Sequence, residues 1–143
     1  MKTSVVYFSR GGNTKKVAEA IASVFGTVAA DIKKITGSPE FDLLVIGTGT
    51  YGGRPGKGVL EFLDRMPSMK GKKAAVFGTS GEGTFEGSRA LVQIKDALEK
   101  KEAKVTGTFC CRGGSFLFFS RGHPNTEELE GAKKFAEKVK RQA

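Results

Sequence analysis

Uninterrupted runs of apolar residues alternate along the chain with stretches in which apolar positions recur every three or four residues. Thr3-Ser4-Val5-Val6-Tyr7-Phe8 is a β-branched and aromatic run that stops at Ser9-Arg10-Gly11-Gly12, which predicts a strand ending in a turn. From Lys15 to Phe25, the residues Val17, Ala18, Ile21, Ala22 and Phe25 keep helical spacing, with Asn13 or Thr14 as N-cap and Gly26 as the stop. Thr27 to Ile32 reads as a weak second strand. The stretch on to Phe41, broken by Gly37-Ser38-Pro39, reads as holding little helix. Asp42 to Thr48 and Lys73 to Thr79 are apolar almost throughout, as strands buried on both faces are. Each is followed by a loop rich in glycine, Gly49 to Gly58 and Ser80 to Glu86. A short helix around Val59, Leu60, Phe62 and Leu63 ends at Met66-Pro67, and Ala90, Leu91, Ile94, Ala97 and Leu98 mark the core stripe of the next. Lys104 to Phe109 is the fifth strand. Asn125 caps the last helix with Glu128 at the capping-box position, and its stripe is Leu129, Ala132, Phe135, Ala136 and Val139.

Five strands alternating with helices predict an open parallel α/β sheet with helices on both faces, in one domain covering residues 1–143. Right-handed crossovers and one reversal of strand order then make a ligand crevice at the carboxyl ends of the strands. The glycine-rich loops all follow strand ends, where such a crevice needs backbone that can approach a ligand closely.

Composition narrows the picture further. The 20 glycines among 143 residues are about twice the ordinary share and cluster in these loops. A formal charge of +9 invites a nucleic-acid reading, but the excess is spread evenly. Residues 1–71 hold ten basic against six acidic side chains, and residues 72–143 hold fourteen against nine. No basic arm exists, and aromatics are not interleaved with the cations as in a single-strand binder. The expectation is a solvated basic surface or docking on an acidic protein, without nucleic acid. No apolar run approaches the roughly 20 residues of a membrane span, and no signal peptide is read at Met1-Lys2-Thr3. The only cysteines, Cys110 and Cys111, are adjacent and cannot staple the fold, which fits a reducing compartment, taken as the cytoplasm.

The first loop, Ser9-Arg10-Gly11-Gly12-Asn13-Thr14, lies between the first strand and the first helix. Unpaired amides at a helix N-terminus suit an anion, and Ser9, Asn13 and Thr14 add neutral donors. The loop has neither the Gly-Lys-Ser/Thr of a nucleoside-triphosphate site nor the spacing of a dinucleotide fingerprint. A phosphate monoester that is bound and not transferred suits it best. Preceded by the Val-Val-Tyr-Phe strand, this segment resembles the flavodoxin signature T/S-x-T-G-N-T, departing from it at Gly11, where the family most often carries Thr.

The resemblance extends to two further loops. Thr48-Gly49-Thr50-Tyr51-Gly52-Gly53 is similar to the family's T-x-T-[YW]-G loop beside the isoalloxazine, with Tyr51 as an aromatic wall. Thr79-Ser80-Gly81-Glu82-Gly83, with Phe85 just beyond, matches the third family loop by position. That family often places Tyr or Trp there, and this chain has no Trp. Membership implies a three-layer sandwich with strand order 2-1-3-4-5 and one FMN held non-covalently by these loops. It also implies a peptide at Tyr51–Gly52 or Gly52–Gly53 that flips as the flavin gains an electron.

The chain supplies no nucleophile–base pair or carboxylate dyad, so the cofactor carries the chemistry. The expected function is that of a monomeric carrier passing single electrons between redox partner proteins. An FMN-dependent NAD(P)H or quinone reductase of the same fold, and a flavin-free interaction module, are the competing readings. Arg112 beside Cys110 and Cys111 raises the question of a reactive thiolate against plain packing. His123 reads as a capping or surface residue. Phe116-Leu117-Phe118-Phe119 extends the fifth strand, covers the ring edge or exposes a docking surface.

Overall fold

The structure, a computed structural model, describes residues 1–86, 88–113 and 122–143; the Phe116–Phe119 patch lies outside them. Five strands, β1 (Thr3–Phe8), β2 (Ala30–Asp31), β3 (Leu43–Gly49), β4 (Lys73–Ser80) and β5 (Lys104–Arg112), form one parallel sheet in the order β2-β1-β3-β4-β5. Four helices accompany them: α1 (Asn13–Phe25), α2 (Val59–Asp64), α3 (Arg89–Lys100) and α4 (Thr126–Arg141).

The period-two alternation of strand side chains builds two separate cores, one on each face of the sheet. Val6, Phe8, Leu44, Ile46, Ala74 and Val76 face α2 and α3, meeting Phe62, Leu63, Leu91, Ile94 and Leu98. Val5, Tyr7, Leu43, Val45, Ala75 and Phe77 point the other way, onto Val17, Ala18 and Ile21 of α1 and Ala132, Ala136 and Val139 of α4. Because both faces are covered, β3 and β4 are apolar on consecutive residues, and every residue of β3 is buried. Each fully buried Leu, Ile or Phe contributes about 1.5–3 kcal/mol through area removed from water, so these strands fix the frame on which the loops sit.

Several boundaries differ from the sequence pattern. The second strand is only Ala30–Asp31, paired with Val6 and Tyr7 of β1, and the expected Thr27 to Ile32 length is not reached. At the sheet edge, one neighbour suffices to hold two residues before Ile32–Lys34 turns into a 3₁₀ segment with Asp31 as its cap. β5 runs past Phe109 to Arg112, so Cys110 and Cys111 lie within it, opposite Gly78 and Thr79. α1 is capped by neither Asn13 nor Thr14. Its N-cap is Gly12, at φ 95°, which has no side chain with which to cap the helix. No helix of the described residues is long and apolar enough to cross a membrane.

Candidate functional site

β1 leads to α1 on one face and to β2 on its outer side, whereas β3 lies on its inner side, so the strand order reverses at β1 and β3. The loops leaving the carboxyl ends of such neighbouring strands diverge and leave a crevice between them. A cleft of about 310 Å³ occupies that place. It is lined by Ser9, Arg10, Gly11, Asn13 and Thr14 of the first loop, Gly49, Thr50 and Tyr51 of the second, and Thr79, Ser80 and Gly81 of the third. Gly113, just after β5, completes the lining.

The remaining residues of the three motifs lie around this cleft without lining it. Gly12 caps α1, and its N–H is taken by Ser9 Oγ at 3.0 Å. Thr48 is fully buried; its Oγ1 accepts from the Gly56 amide at 2.8 Å and donates to the Gly49 carbonyl, holding the start of the second loop in shape. Gly52 and Gly53 form the tip of a two-residue turn closed by hydrogen bonds in both directions between the backbones of Tyr51 and Arg54. Both glycines have positive φ, 59° and 78°, as a primed turn requires. Glu82 is exposed, and Gly83 donates its N–H to Ser80 Oγ at 2.9 Å. Phe85 packs against the core on the α2–α3 side. Its ring is therefore engaged in packing.

Hydroxyl groups tie the loops together at the floor. Thr14 Oγ1 and Thr79 Oγ1 share a hydrogen bond of 2.9 Å between the first and third loops, and both residues are buried. Thr50 Oγ1 donates to the Thr79 carbonyl and is 2.8 Å from Ser88 Oγ, the N-cap of α3. Ser88 in turn accepts from the Leu91 amide. The chain Thr14–Thr79–Thr50–Ser88 thus joins α1, β4, the second loop and α3 across the sheet ends. Ser88 and Gly113 did not emerge from the motifs. The Ser-x-x-Leu entry to the third helix is the signal for Ser88, and Gly113 repeats the pattern of glycine after a strand end.

Tyr51 forms one wall. Its ring meets Phe8 edge to face, with centroids 5.6 Å apart, and its hydroxyl accepts from the Arg10 amide at 3.0 Å. A Cβ on Gly49 would lie 2.7 Å from that hydroxyl, so only glycine leaves the ring room there. The Arg10 guanidinium rests 4.7 Å from the centre of the Tyr51 ring, a cation–π contact.

Beyond β5, Glu128 holds the end of the strand against α4. Its carboxylate accepts from the amides of Arg112 and Asn125 and pairs with His123 Nδ1, while Asn125 Oδ1 accepts from the Glu128 amide. Partial burial pushes the Glu128 carboxyl upward, but the His123 bond and the two amides outweigh it and hold the group below the ordinary Glu range. The cysteines answer the thiolate question. Burial raises the Cys110 thiol, and burial with Glu128 and Cys110 nearby pushes Cys111 up to about 12. Both are packing residues in the thiol form at neutral pH.

Residues 4–115 match the flavodoxin domain family. The chain is 34% identical to an uncharacterized protein of Methanocaldococcus jannaschii, covering 97% of this chain and 98% of that one. It is 31% identical to the flavodoxin of Megasphaera elsdenii over 73% of this chain and 81% of the other. Among solved structures, a flavodoxin from the domain Archaea superposes with a TM-score of 0.77 at 20% identity, covering 99% and 98% of the two chains. A Fusobacterium nucleatum flavodoxin bound to flavin mononucleotide superposes with a TM-score of 0.72 at 17% identity, covering 99% of each. These last two establish likeness of fold. With the sequence matches across most of its length, the chain belongs to the flavodoxin family.

Proposed function

We propose that the cleft at the carboxyl ends of β1, β3 and β4 holds one FMN non-covalently, and that the chain passes single electrons between redox partner proteins. The observation that carries this reading is the bare N-terminus of α1. Its first turn has no side-chain cap and no acidic residue, whereas α2, also uncapped by a side chain, carries Glu61 there, α3 is capped by Ser88 and α4 by a full capping box. Asn13 and Thr14 of that first turn line the cleft, and the amides at a helix start suit a phosphate dianion. Ser9, Asn13 and Thr14 would add neutral donors. A threonine hydroxyl donates once and accepts twice, so Thr14 can keep Thr79 as its donor while giving its own proton to a phosphate oxygen.

Tyr51 would flank the ring, and the backbone of Ser80 and Gly81 would reach its polar edge. At about 310 Å³ the cleft is at the small end of ligand sites, which suits a flavin left partly open to solvent. An exposed edge is what electron exchange with another protein needs. Bound FMN supplies the one-electron chemistry; the chain's part is to hold and tune it. The turn at Gly52–Gly53 can exchange one primed form for the other by rotating a single peptide, because glycine tolerates both signs of φ. That rotation would offer the flavin either an N–H or a carbonyl. The adjacent unbridged thiols suit a reducing compartment, here the cytoplasm.

A visible spectrum of the purified protein, with FMN titrated into any colourless fraction, tests the reading. The expected result is a yellow one-to-one complex that accumulates one-electron-reduced flavin on photoreduction and oxidises NAD(P)H slowly without a partner. Failure to bind FMN, or rapid NAD(P)H oxidation by the protein alone, would overturn it.

A further inference from the structure

Next to the proposed FMN cleft, and sharing Arg10 and Tyr51 with it, lies a second cleft of about 310 Å³. Arg10, Arg54 and Lys57 give it three exposed cations, against Glu61 as the one acid in the lining. Among the described residues none of the three cations forms an ion pair. We propose that this cleft docks the carboxylates of an acidic protein redox partner, beside the proposed flavin edge. The proposal rests on the FMN reading for its purpose but not for its binding.

The kind of ligand follows from what the cleft does and does not offer. A nucleotide phosphate is best held by converging backbone amides; here three of them are engaged, and Glu61 in the first turn of α2 sets a carboxylate against a phosphate dianion. Arg54 N–H donates to the Tyr51 carbonyl, Gly56 N–H to Thr48 Oγ1 and Val59 N–H to the Gly56 carbonyl. The Gln93 side-chain amide donates to the Gly53 carbonyl. What remains is point charge on long stems, set on a backbone that those same bonds hold still. Exposed cations match the scattered carboxylates of a protein face, and their chief effect is on encounter and orientation. Tyr51 stands between the two clefts, so a partner seated on the cations lies against the wall of the flavin site.

The test uses the full chain and a plant-type [2Fe–2S] ferredoxin as the acidic probe. Arg54→Glu/Lys57→Glu is the variant, since both side chains are exposed and neither lines the FMN cleft. Calorimetric titration of oxidised ferredoxin into FMN-free protein reads docking without any flavin. The expected result is binding that weakens about 10-fold or more in the variant and falls steeply with salt. In stopped-flow mixing, reduced ferredoxin gives up one electron and bound FMN takes it. The second-order rate should drop about 10- to 100-fold in the variant at low salt and converge with wild type at high salt. The Arg54→Gln/Lys57→Gln protein should fall between. An unchanged ferredoxin affinity and rate in both variants would overturn the docking site, even with FMN fully bound. Weakened binding of NADPH in place of ferredoxin would assign the cations to a nucleotide and overturn it equally. Loss of FMN binding by wild type with ferredoxin docking intact would sink the cofactor reading alone.

Discussion

Replacing Thr79 by Val asks whether the hydroxyl chain at the cleft floor holds the first and third loops together. Valine keeps the shape of threonine and removes its one hydroxyl. Thr79 is 5% exposed and Thr14 is 2% exposed, so water cannot easily take over the 2.9 Å bond between them. The variant leaves Thr14 Oγ1 buried without this partner, at a cost of about 1–2 kcal/mol for a neutral hydroxyl. For a chain of this size that corresponds to roughly 3–8 °C in Tm. The Thr79 carbonyl still accepts from Thr50, so the rest of the chain of hydroxyls survives. Urea denaturation of FMN-free protein, followed by far-ultraviolet circular dichroism, measures the change. Thr14→Val and the double variant complete a cycle, with an expected coupling of about 1 kcal/mol because removing both partners leaves nothing unpaired. FMN affinity should fall about 3- to 10-fold in Thr79→Val, as the first loop is less firmly placed. A stability within about 0.3 kcal/mol of wild type, with an additive double variant, would refute the reasoning.

Three further outcomes are expected. The second-electron couple of bound FMN should be less negative than in acidic members of the family, because Arg10, Arg54 and Lys57 favour added negative charge; in Arg54→Gln/Lys57→Gln it should move about 20–60 mV more negative, after screening of exposed charges, by spectroelectrochemistry. Glu128 has a lowered carboxyl, so its contribution is complete above the ordinary Glu range and is lost as pH falls through the depressed value. Glu128→Gln should therefore weaken the acid-side slope of stability below about pH 4.5 and cost about 1 kcal/mol of capping at neutral pH, read by denaturation across pH. Cys110 and Cys111 should resist iodoacetamide at pH 8 in the native protein and react on unfolding, counted by intact mass.

The architecture was legible where burial wrote it plainly. β1 appeared with its observed ends, and β3 and β4 were readable because helices on both faces demand consecutive apolar residues. The cap of α4 was equally direct, since Asn125 and Glu128 act within four residues of each other. β2 reads longer in the sequence than it is, because an edge strand with two paired residues leaves almost no periodicity. Asn13 or Thr14 reads as the cap of α1, but the helix starts at Asn13 after Gly12, so both lie inside it, and the Thr14 hydroxyl bonds Thr79, 65 residues away. A local pattern cannot register so distant a partner. The same holds for Tyr51, whose aromatic role was visible while its bond to the Arg10 amide, 41 residues back, was not. The segment Cys110 to Gly114 reads as ending the fifth strand near the same crevice, yet Gly113 is not among the residues expected to bind, because the strand pattern stops at Phe109 and not at Arg112. The three glycine-rich loops are legible from composition and position alone, and eleven of their residues meet at one cleft.

The central claim is that α1's bare N-terminus and its neighbouring hydroxyls grip a phosphate. Parallel titrations of the FMN-free protein with FMN and with riboflavin, followed by quenching of flavin fluorescence, test it most directly. The two ligands share the ring and differ only at the phosphate. FMN should bind about 100-fold or more tightly than riboflavin, the equivalent of about 2.7 kcal/mol. Equal affinities would contradict the account.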